Sequence, residues 1–460
     1  MKKIALLLIL FSNIITAQCW QTVSTGNSFT IAKKTDNTIW SWGRNEYGGI
    51  GDGTTANKNY PVQVGSDTDW ETVSSSGSHT FAIKMNGTLW AWGANAYGGL
   101  GDGTYISKNT PIQIGNDSDW QQVACGTGFT ILLKTNGTLW SCGINDLGQL
   151  GDGTNTGRNI LGQIGTDTNW QFISASVDNT VAIKTNGTLW AWGQNDFGQL
   201  GDGTNTDRNA PIQIGIDNNW FSASSGGSHT LAIKTNGTLW AWGYNHYGQL
   251  GDGTTLNKST PIQIGTDTNW QSVSGGGFHS LALKTNGTLW AWGDNDYYGQ
   301  LGGGYPNDQH SPIQIGTATN WRSISAGGVH TAAINTANNL LVCGWNFYGE
   351  LGNGTNTGNG PGHDSVWGLN PVSCIPLASE SFHKEETFIV FPNPTKEEIT
   401  ISNPNNKTIS SITVTDMTGK TILVSEDNSH SLDVQHLQAG LYVIKIESEG
   451  QTYQQKLIKE

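Results

Sequence analysis

Histidines recur at one place in this chain, His79, His229, His279 and His330, where other copies of the same stretch carry Phe29, Phe129 and Asn179. Imidazoles can ligate zinc, but a metal needs its ligands within a few ångströms of one point. A position spread over separate copies that also tolerates phenylalanine reads as packing. Aspartates recur as well: Asp52, Asp102, Asp152, Asp202 and Asp252 each sit inside Gly-Asp-Gly-Thr. A calcium loop would need further acidic residues at alternate positions. One aspartate per copy instead suits a side chain capping its own turn, and the later replacements Gly303 and Asn353 agree with that. No Ser/His/Asp order, paired-carboxylate motif or phosphate loop stands apart from the repeat. The expectation is a non-catalytic protein without metal or cofactor.

Five cysteines leave thiol chemistry to consider. Cys142 and Cys343 hold the place that Trp92 has in its own copy, and read as buried free thiols; Cys125 stays open. Cys19 and Cys374 flank the repeated region, so closure of the chain into a ring would bring them together as a disulfide. Such a bond across a long loop contributes up to about 4–5 kcal/mol when unstrained.

A position identical in every copy serves the copy itself, whereas a position that varies is free to serve a ligand. The variable places flank an invariant asparagine between Trp-Gly and Gly-Gln-Leu-Gly: Arg44 and Glu46, Ala94 and Ala96, Ile144 and Asp146, Gln194 and Asp196, Tyr244 and His246, Asp294 and Asp296, Trp345 and Phe347. With Tyr247, Tyr297, Tyr298 and Tyr348 these make an aromatic platform in copies five to seven. Rings with polar tips suit a protein surface or a sugar. The candidate ligand residues are Tyr244, His246, Tyr297, Tyr298, Trp345 and Phe347; the alternative is that such rings only pack loop against loop.

These residues must be carried by a repeating element. Trp20, Trp70, Trp120, Trp170, Trp220 and Trp270 are spaced by fifty, and Trp321 follows one residue late after an insertion near Tyr297-Tyr298. Each unit holds four short β-capable stretches, with Asn-Gly between the second and third (Asn86-Gly87, Asn136-Gly137, Asn186-Gly187, Asn236-Gly237, Asn286-Gly287). Asn-Gly accepts positive φ at both central positions of a tight two-residue hairpin. A four-stranded antiparallel sheet at this period is a propeller blade. Rings such as Trp90 and Trp92 are expected to fill the wedge between blades. Composition concurs: of 460 residues 62 are Gly and 20 Trp, and only 13% are charged, which disfavours a helical bundle. Residues 18–375 carry 14 basic and 24 acidic side chains, a net of −10 within a chain total of −13, so the surface that neutralises phosphates is missing and nucleic acid is no partner.

The phrases Gly226 to Thr230 and Gly327 to Thr331 (Gly-x-x-His-Thr), followed by Leu-Trp-Ala-Trp-Gly-x-Asn and Gly-Gln-Leu-Gly-Asp-Gly-Thr, resemble the regulator-of-chromosome-condensation repeat family over Trp20 to Cys374. The resemblance implies a seven-bladed β-propeller. The family's eponymous nucleotide exchange on a nuclear GTPase does not transfer to an exported acidic chain.

Both ends concern delivery. Lys2 and Lys3, the apolar run Ile4 to Phe11 and the small-residue site ending at Ala17 have the layout of a secretory signal peptide. The run is too short to span a membrane. Beyond Cys374, Phe391-Pro392-Asn393-Pro394, the Asp-Met-Thr-Gly-Lys phrase with Gly419, and Leu-Gln-Ala-Gly440-Leu-Tyr442-Val precede the terminal Lys456-Leu-Ile-Lys459. This stretch alternates apolar and polar residues as a small β-sandwich does, and resembles the type A sorting domain of type IX secretion in Bacteroidota. That resemblance implies recognition by the secretion machinery, translocation, and removal of the domain with release or surface attachment.

The expected organisation is all-β: a signal peptide (1–17), a seven-bladed β-propeller of four-stranded antiparallel blades (18–375; repeats 20–69, 70–119, 120–169, 170–219, 220–269, 270–320 and 321–375), a linker (376–386) and a C-terminal β-sandwich sorting domain (387–460). The expected function is a secreted or cell-surface binding module for an extracellular protein or glycan. A polysaccharide-active enzyme or accessory, and an inhibitor of a secreted protein, are the alternatives.

Overall fold

The computed structural model describes residues 20–295, 298–304, 307–356, 365–372, 388–391, 395–402, 408–416, 420–425, 431–448 and 451–459. The chain divides into two compact units, Met1–Leu377 and Ala378–Glu460. In the first blade the strands Trp20–Thr25, Phe29–Lys34, Ile39–Gly43 and Lys58–Gln63 pair antiparallel in chain order. Six further sheets repeat the arrangement. Each sheet takes all four strands from one repeat, including blade seven, whose outer strand is Ser365–Val372. No strand is exchanged at closure among these sheets, so side chains must hold the ring shut.

The apolar residues explain why isolated blades are not stable. Ile31, Ile39 and Val64 of blade one enclose Trp70, Ala82 and Trp92 of blade two, and an equivalent cluster fills every successive interface. The last joins Ile334, Leu340, Val342 and Leu351 of blade seven to Trp20, Ala32 and Trp42 of blade one. The core is thus distributed as wedges between sheets, as a repeat fold requires. Where a third strand carries two rings they divide their work, which corrects the expectation that both simply fill the wedge. Trp92 is wholly buried, whereas half-buried Trp90 lies at the wedge's edge and faces a lysine.

That lysine closes the second strand. Lys234 Nζ lies 4.7 Å from the Trp220 ring and 3.8 Å from the Trp240 ring, and donates to Asp217 Oδ2 at 2.7 Å. A cation between two ring faces is attracted by both quadrupoles, and the carboxylate from the preceding connection completes the box. Lys84, Lys134, Lys184 and Lys284 are held alike by Asp67, Asp117, Asp167 and Asp267.

The Asn-Gly hairpins correct another expectation. Only the glycine has positive φ (Gly87, +77°). Gly87 N donates to Lys84 O and Lys84 N to Thr88 O, which is a longer loop with a left-handed residue at its end. Asn86 is held out of the left-handed region because its Oδ1 accepts Thr88 N (3.1 Å) and Thr88 Oγ1 (2.7 Å). Asp36 makes the same bonds to Thr38 in blade one, where Asn37 takes the positive φ.

Two rings of polar contacts reinforce the wedges. Along the innermost strands, the N–H of one blade meets a serine Oγ of its neighbour: Ser75 to Ser24, Cys125 to Ser74, Ser225 to Ser174, Gly275 to Ser224, Ala326 to Ser274, and Thr25 to Ser325. Blade three has Ala124 at the serine place, and there Gln122 bonds both Ile173 O (2.9 Å) and Ile173 N (3.2 Å) instead. Farther out, His79, His229, His279 and His330 each place Nε2 2.9–3.0 Å from Thr130, Ser280, Thr331 and Thr30 of the next blade. Thr130, Ser280 and Thr30 give their own protons to backbone carbonyls, so the facing Nε2 must carry the hydrogen. Burial pushes these imidazoles down to about 4 (His79, His330) and about 3 (His229, His279), and they remain neutral clasps.

The second unit contains a three-stranded sheet, Ile389–Phe391, Glu398–Ser402 and Ser431–Asp433, and a four-stranded sheet built on Ile409–Asp416, Thr421–Ser425, Gly440–Ser448 and Gln451–Lys459. Val390, Ile399, Ile401 and Leu432 from the first meet Ile412, Val414, Ile444 and Leu457 from the second in one core. Of the sorting-motif residues, Gly440 pairs with Lys459, and Tyr442 donates its hydroxyl to Gln438 O at 2.9 Å. Pro392, Asn393, Pro394 and Gly419 lie outside the described residues, as do the signal segment, the linker 376–386, and both Cys19 and Cys374 of the expected disulfide. Cys125, Cys142 and Cys343 are buried free thiols; burial raises Cys125 and Cys343 to about 12 and raises Cys142 as well, which leaves them unreactive.

Candidate functional site: the loop face and channel mouth

The loops that carry the variable residues leave each third strand on one face, beside the turns joining first and second strands. Tyr244 N donates to Ser228 O (2.8 Å), and Arg44, Asp294 and Trp345 make the same bond to Ser28, Phe278 and Val329. The invariant asparagine is the hub of each loop. Buried Asn245 accepts Leu250 N at Oδ1 (2.9 Å) and donates through Nδ2 to Asp252 Oδ1, Thr254 O and Leu256 O. Asp252 in turn accepts Thr254 N and Oγ1 and pairs with Lys258. Hydrogen bonds to Thr254, Asn245 and Lys258 outweigh burial and hold its carboxyl below the usual range. The recurring aspartates are therefore turn caps, and Asn353 reproduces the two bonds to Thr355 in blade seven. Among the described residues no group of three or more His, Cys, Asp or Glu could hold a metal ion.

This scaffold leaves the residues flanking the asparagine free to vary, and the rings there and beside them gather into two clusters. In the first, Tyr244 lies 4.7 Å from Phe197, near-parallel to His246 at 6.2 Å, and 6.1 Å from Phe278; Tyr247 joins at 5.3 Å from both His246 and Phe278. In the second, Trp345 stands edge-on to Tyr298 at 4.6 Å and stacks on Phe347 at 5.7 Å. Phe347 meets Tyr348 at 4.7 Å, and Arg44 lies 5.0 Å over the Tyr348 ring while paired with Glu46. Tyr244 and His246 thus come together, as do Tyr298, Trp345 and Phe347; Tyr297 lies outside the described residues.

Phe278 and Phe197 were not singled out by the sequence. Phe278 occupies the turn place held by Ser28, Ser78 and Ser228, a departure that comparison of the copies can detect once that turn is known to open on the same face. It is 40% exposed and borders a depression of about 370 Å³ at the channel mouth, shared with Asn27, Ser28, Val177, Ser228 and Val329. Deeper in the channel a second space of about 140 Å³ is walled by serines and glycines such as Ser24, Ser174, Ser224 and Gly276. Neither lining contains a carboxylate, histidine or cysteine. Asp178, next to Val177, accepts Gln149 Nε2 at 3.2 Å, and burial with the nearby Asp207 raises its carboxyl.

Blade seven departs from the rest at a buried place. Where blades three to six carry Gln149, Gln199, Gln249 and Gln300, it carries Glu350. Its Oε2 accepts Tyr348 N at 2.8 Å, while Oε1 has no protein partner. Burial pushes this carboxyl up to about 8 despite backbone N–H bonds and Arg44.

A family model described as Regulator of chromosome condensation (RCC1) repeat matches residues 36–83, 86–133, 186–233, 236–283 and 286–334, and a second of that description matches 20–48, 70–98, 120–149, 170–199, 222–249 and 270–300. The chain belongs to the regulator of chromosome condensation repeat family. Its residues 389–460 match the Secretion system C-terminal sorting domain. Among solved structures, human WBSCR16 is similar at 24% identity and a TM-score of 0.62, covering 69% of this chain and 86% of that one. Yeast RCC1 (Prp20), solved bound to Kap60, is 17% identical with a TM-score of 0.65 over 85% and 91%. Prp20p of Saccharomyces cerevisiae, studied for its binding to Gsp1p and histones, is 20% identical with a TM-score of 0.61 over 67% and 80%. At these identities the likeness concerns the propeller fold. No curated protein sequence matches the chain. The sorting domain implies interaction with the type IX secretion machinery and an exported, cell-surface or secreted location. No helix among the described residues is long and apolar enough to cross a membrane.

Proposed function

We propose that this family member is delivered by an N-terminal signal peptide and its sorting domain, and works outside the cell as a non-catalytic binding propeller for a protein or glycan. The observation that carries the reading is the pair of ring clusters on the loop face. Asn245, Asp252 and their equivalents fix the loop backbone in blade after blade, whereas Tyr244 and His246 give way to Trp345 and Phe347 in blade seven, each set packed on rings of its neighbouring loops. Rigid rings on a rigid scaffold lose little entropy on contact. A polysaccharide-active enzyme would need an acid pair in the opening; the two cavity linings supply no carboxylate, Asp178 accepts from Gln149 of the preceding blade, and Asp207 accepts from Asn195 N of its own loop. The test is a screen of the full chain against extracellular glycans and surface proteins, repeated with Tyr244→Ala and Trp345→Ala/Phe347→Ala. The reading expects a bound species whose affinity falls about tenfold or more in a variant; unchanged binding in both would refute it.

A further inference from the structure

We infer that the channel mouth takes a neutral oligosaccharide, with a sugar ring seated against Phe278 and its hydroxyls facing the polar side chains of blades one and five. This inference rests on the binding-face reading and narrows it to one ligand chemistry.

The depression of about 370 Å³ is at the small end of the range for compact ligands. It has room for a sugar unit or two and none for a protein patch, which needs several hundred square ångströms per partner. Its lining divides cleanly by chemistry. Phe278, Val177 and Val329 supply apolar surface, and Asn27, Ser28 and Ser228 supply amide and hydroxyl groups. No lining side chain is ionisable. A charged ligand drawn into this space would lose hydration without gaining a counter-charge. A neutral sugar has the matching halves: a C–H face for the phenyl ring and a rim of hydroxyls for serine and asparagine.

Phe278 is the informative residue. Its place is serine in blades one, two and five, so nothing in the blade requires a ring there. Its ring is 40% exposed and so open to contact from outside the chain. Here Tyr247 and Tyr244 brace it at 5.3 and 6.1 Å, which fixes the ring at the rim of the depression. The hydroxyl-lined space below gives bridging waters or a further sugar hydroxyl a polar floor.

The test uses affinity electrophoresis of the full chain through gels containing a neutral polysaccharide (mixed-linkage β-glucan, xylan or mannan) or an acidic one (polygalacturonate or chondroitin sulfate). Retardation by at least one neutral polymer and by neither acidic polymer is expected. Phe278→Ser installs the residue other blades use, so it should fold; it is expected to weaken retardation about tenfold, whereas Tyr97→Ala, an exposed ring on blade two, changes it less than about twofold. Stronger retardation by an acidic polymer, or an unaffected Phe278→Ser, overturns the inference. If every neutral polymer fails while a surface protein binds through Tyr244 or Trp345, the inference falls and the binding-face reading stands. If no glycan and no protein binds, both fall.

Discussion

Blades five and seven share one backbone plan and differ in almost every place where a side chain has a choice. On the hairpin side the differences form a set. Blade five boxes Lys234 between Trp220 and Trp240 against Asp217, and blade seven has Asn335, Leu341 and Ala318 in the places of the cation, the second ring and the carboxylate. Removing all three at once leaves no buried charge without a partner. At the wedge, Cys343 stands where blade five has Trp242, and its thiol donates to Gln300 O as Trp292 Nε1 of blade six donates to Gln249 O, whereas Trp242 Nε1 has no such partner. On the loop face, by contrast, Trp345 and Phe347 replace Tyr244 and His246 while the asparagine hub keeps its bonds to the leucine N–H and the threonine carbonyl. Changes that travel together maintain the fold; changes that stand alone on an open face are available to a ligand. Glu350 fits neither class, being buried with one carboxyl oxygen bonded to Tyr348 N and the other without a partner.

The largest effect expected from breaking this comparison is at the hub. Asn245→Ala strands Leu250 N and two loop carbonyls, and should cost about 3 kcal/mol in denaturant unfolding followed by Trp fluorescence. Asn346→Ala should do the same in blade seven, since both loops use the hub.

Glu350→Gln restores the residue of blades three to six. The Glu350 carboxyl has a folded pKa raised to about 8 from 4.5, so the folded state holds a proton that the unfolded state releases, and stability is lost as pH climbs through that interval. The variant should therefore gain about 2 kcal/mol at pH 6 and less than about 0.5 kcal/mol at pH 4.5. Equal gains at both pH values would show that the Glu350 carboxyl does not titrate as described.

The histidine clasps have the opposite sign. Their pKa values are depressed from 6.5 to about 3 or 4, so the unfolded chain takes up protons first and stability falls as pH drops below about 6.5. His229→Asn, which copies blade four, should reduce the loss between pH 7 and 5.5 by about 1 kcal/mol. A slope unchanged by that substitution would show that the clasps do not titrate as described.

Much of this was legible beforehand. A period of fifty led to seven blades, and aspartates that Gly303 and Asn353 could replace led to turn caps. What sequence spacing could not supply was three-dimensional adjacency. The Lys234–Asp217 pair joins residues seventeen apart across a connection, and the serine ring joins residues about fifty apart, so neither has a local signature. The hairpin was misread because Asn-Gly permits two turn types, and the choice depends on the Thr88 partner. Phe278 escaped notice because its turn was not known to share a face with Tyr244.

The smallest effect sharpens the comparison most. Asp217→Ala alone should cost less than about 1 kcal/mol, because its carboxylate is half exposed. Lys234→Asn alone should cost more, and the triple change Asp217→Ala/Lys234→Asn/Trp240→Leu, which copies blade seven, should cost less than the sum of its parts. Strict additivity would mean that the three residues do not form a unit.

The central claim is that the uncompensated rings serve a partner outside the chain. Its most direct test is the retention of the full chain on intact cells or their surface extract, for the native sequence and for Tyr244→Ala/Trp345→Ala/Phe347→Ala. The account predicts at least a tenfold loss of retention with the unfolding midpoint little changed. Retention equal to that of the native chain would contradict it.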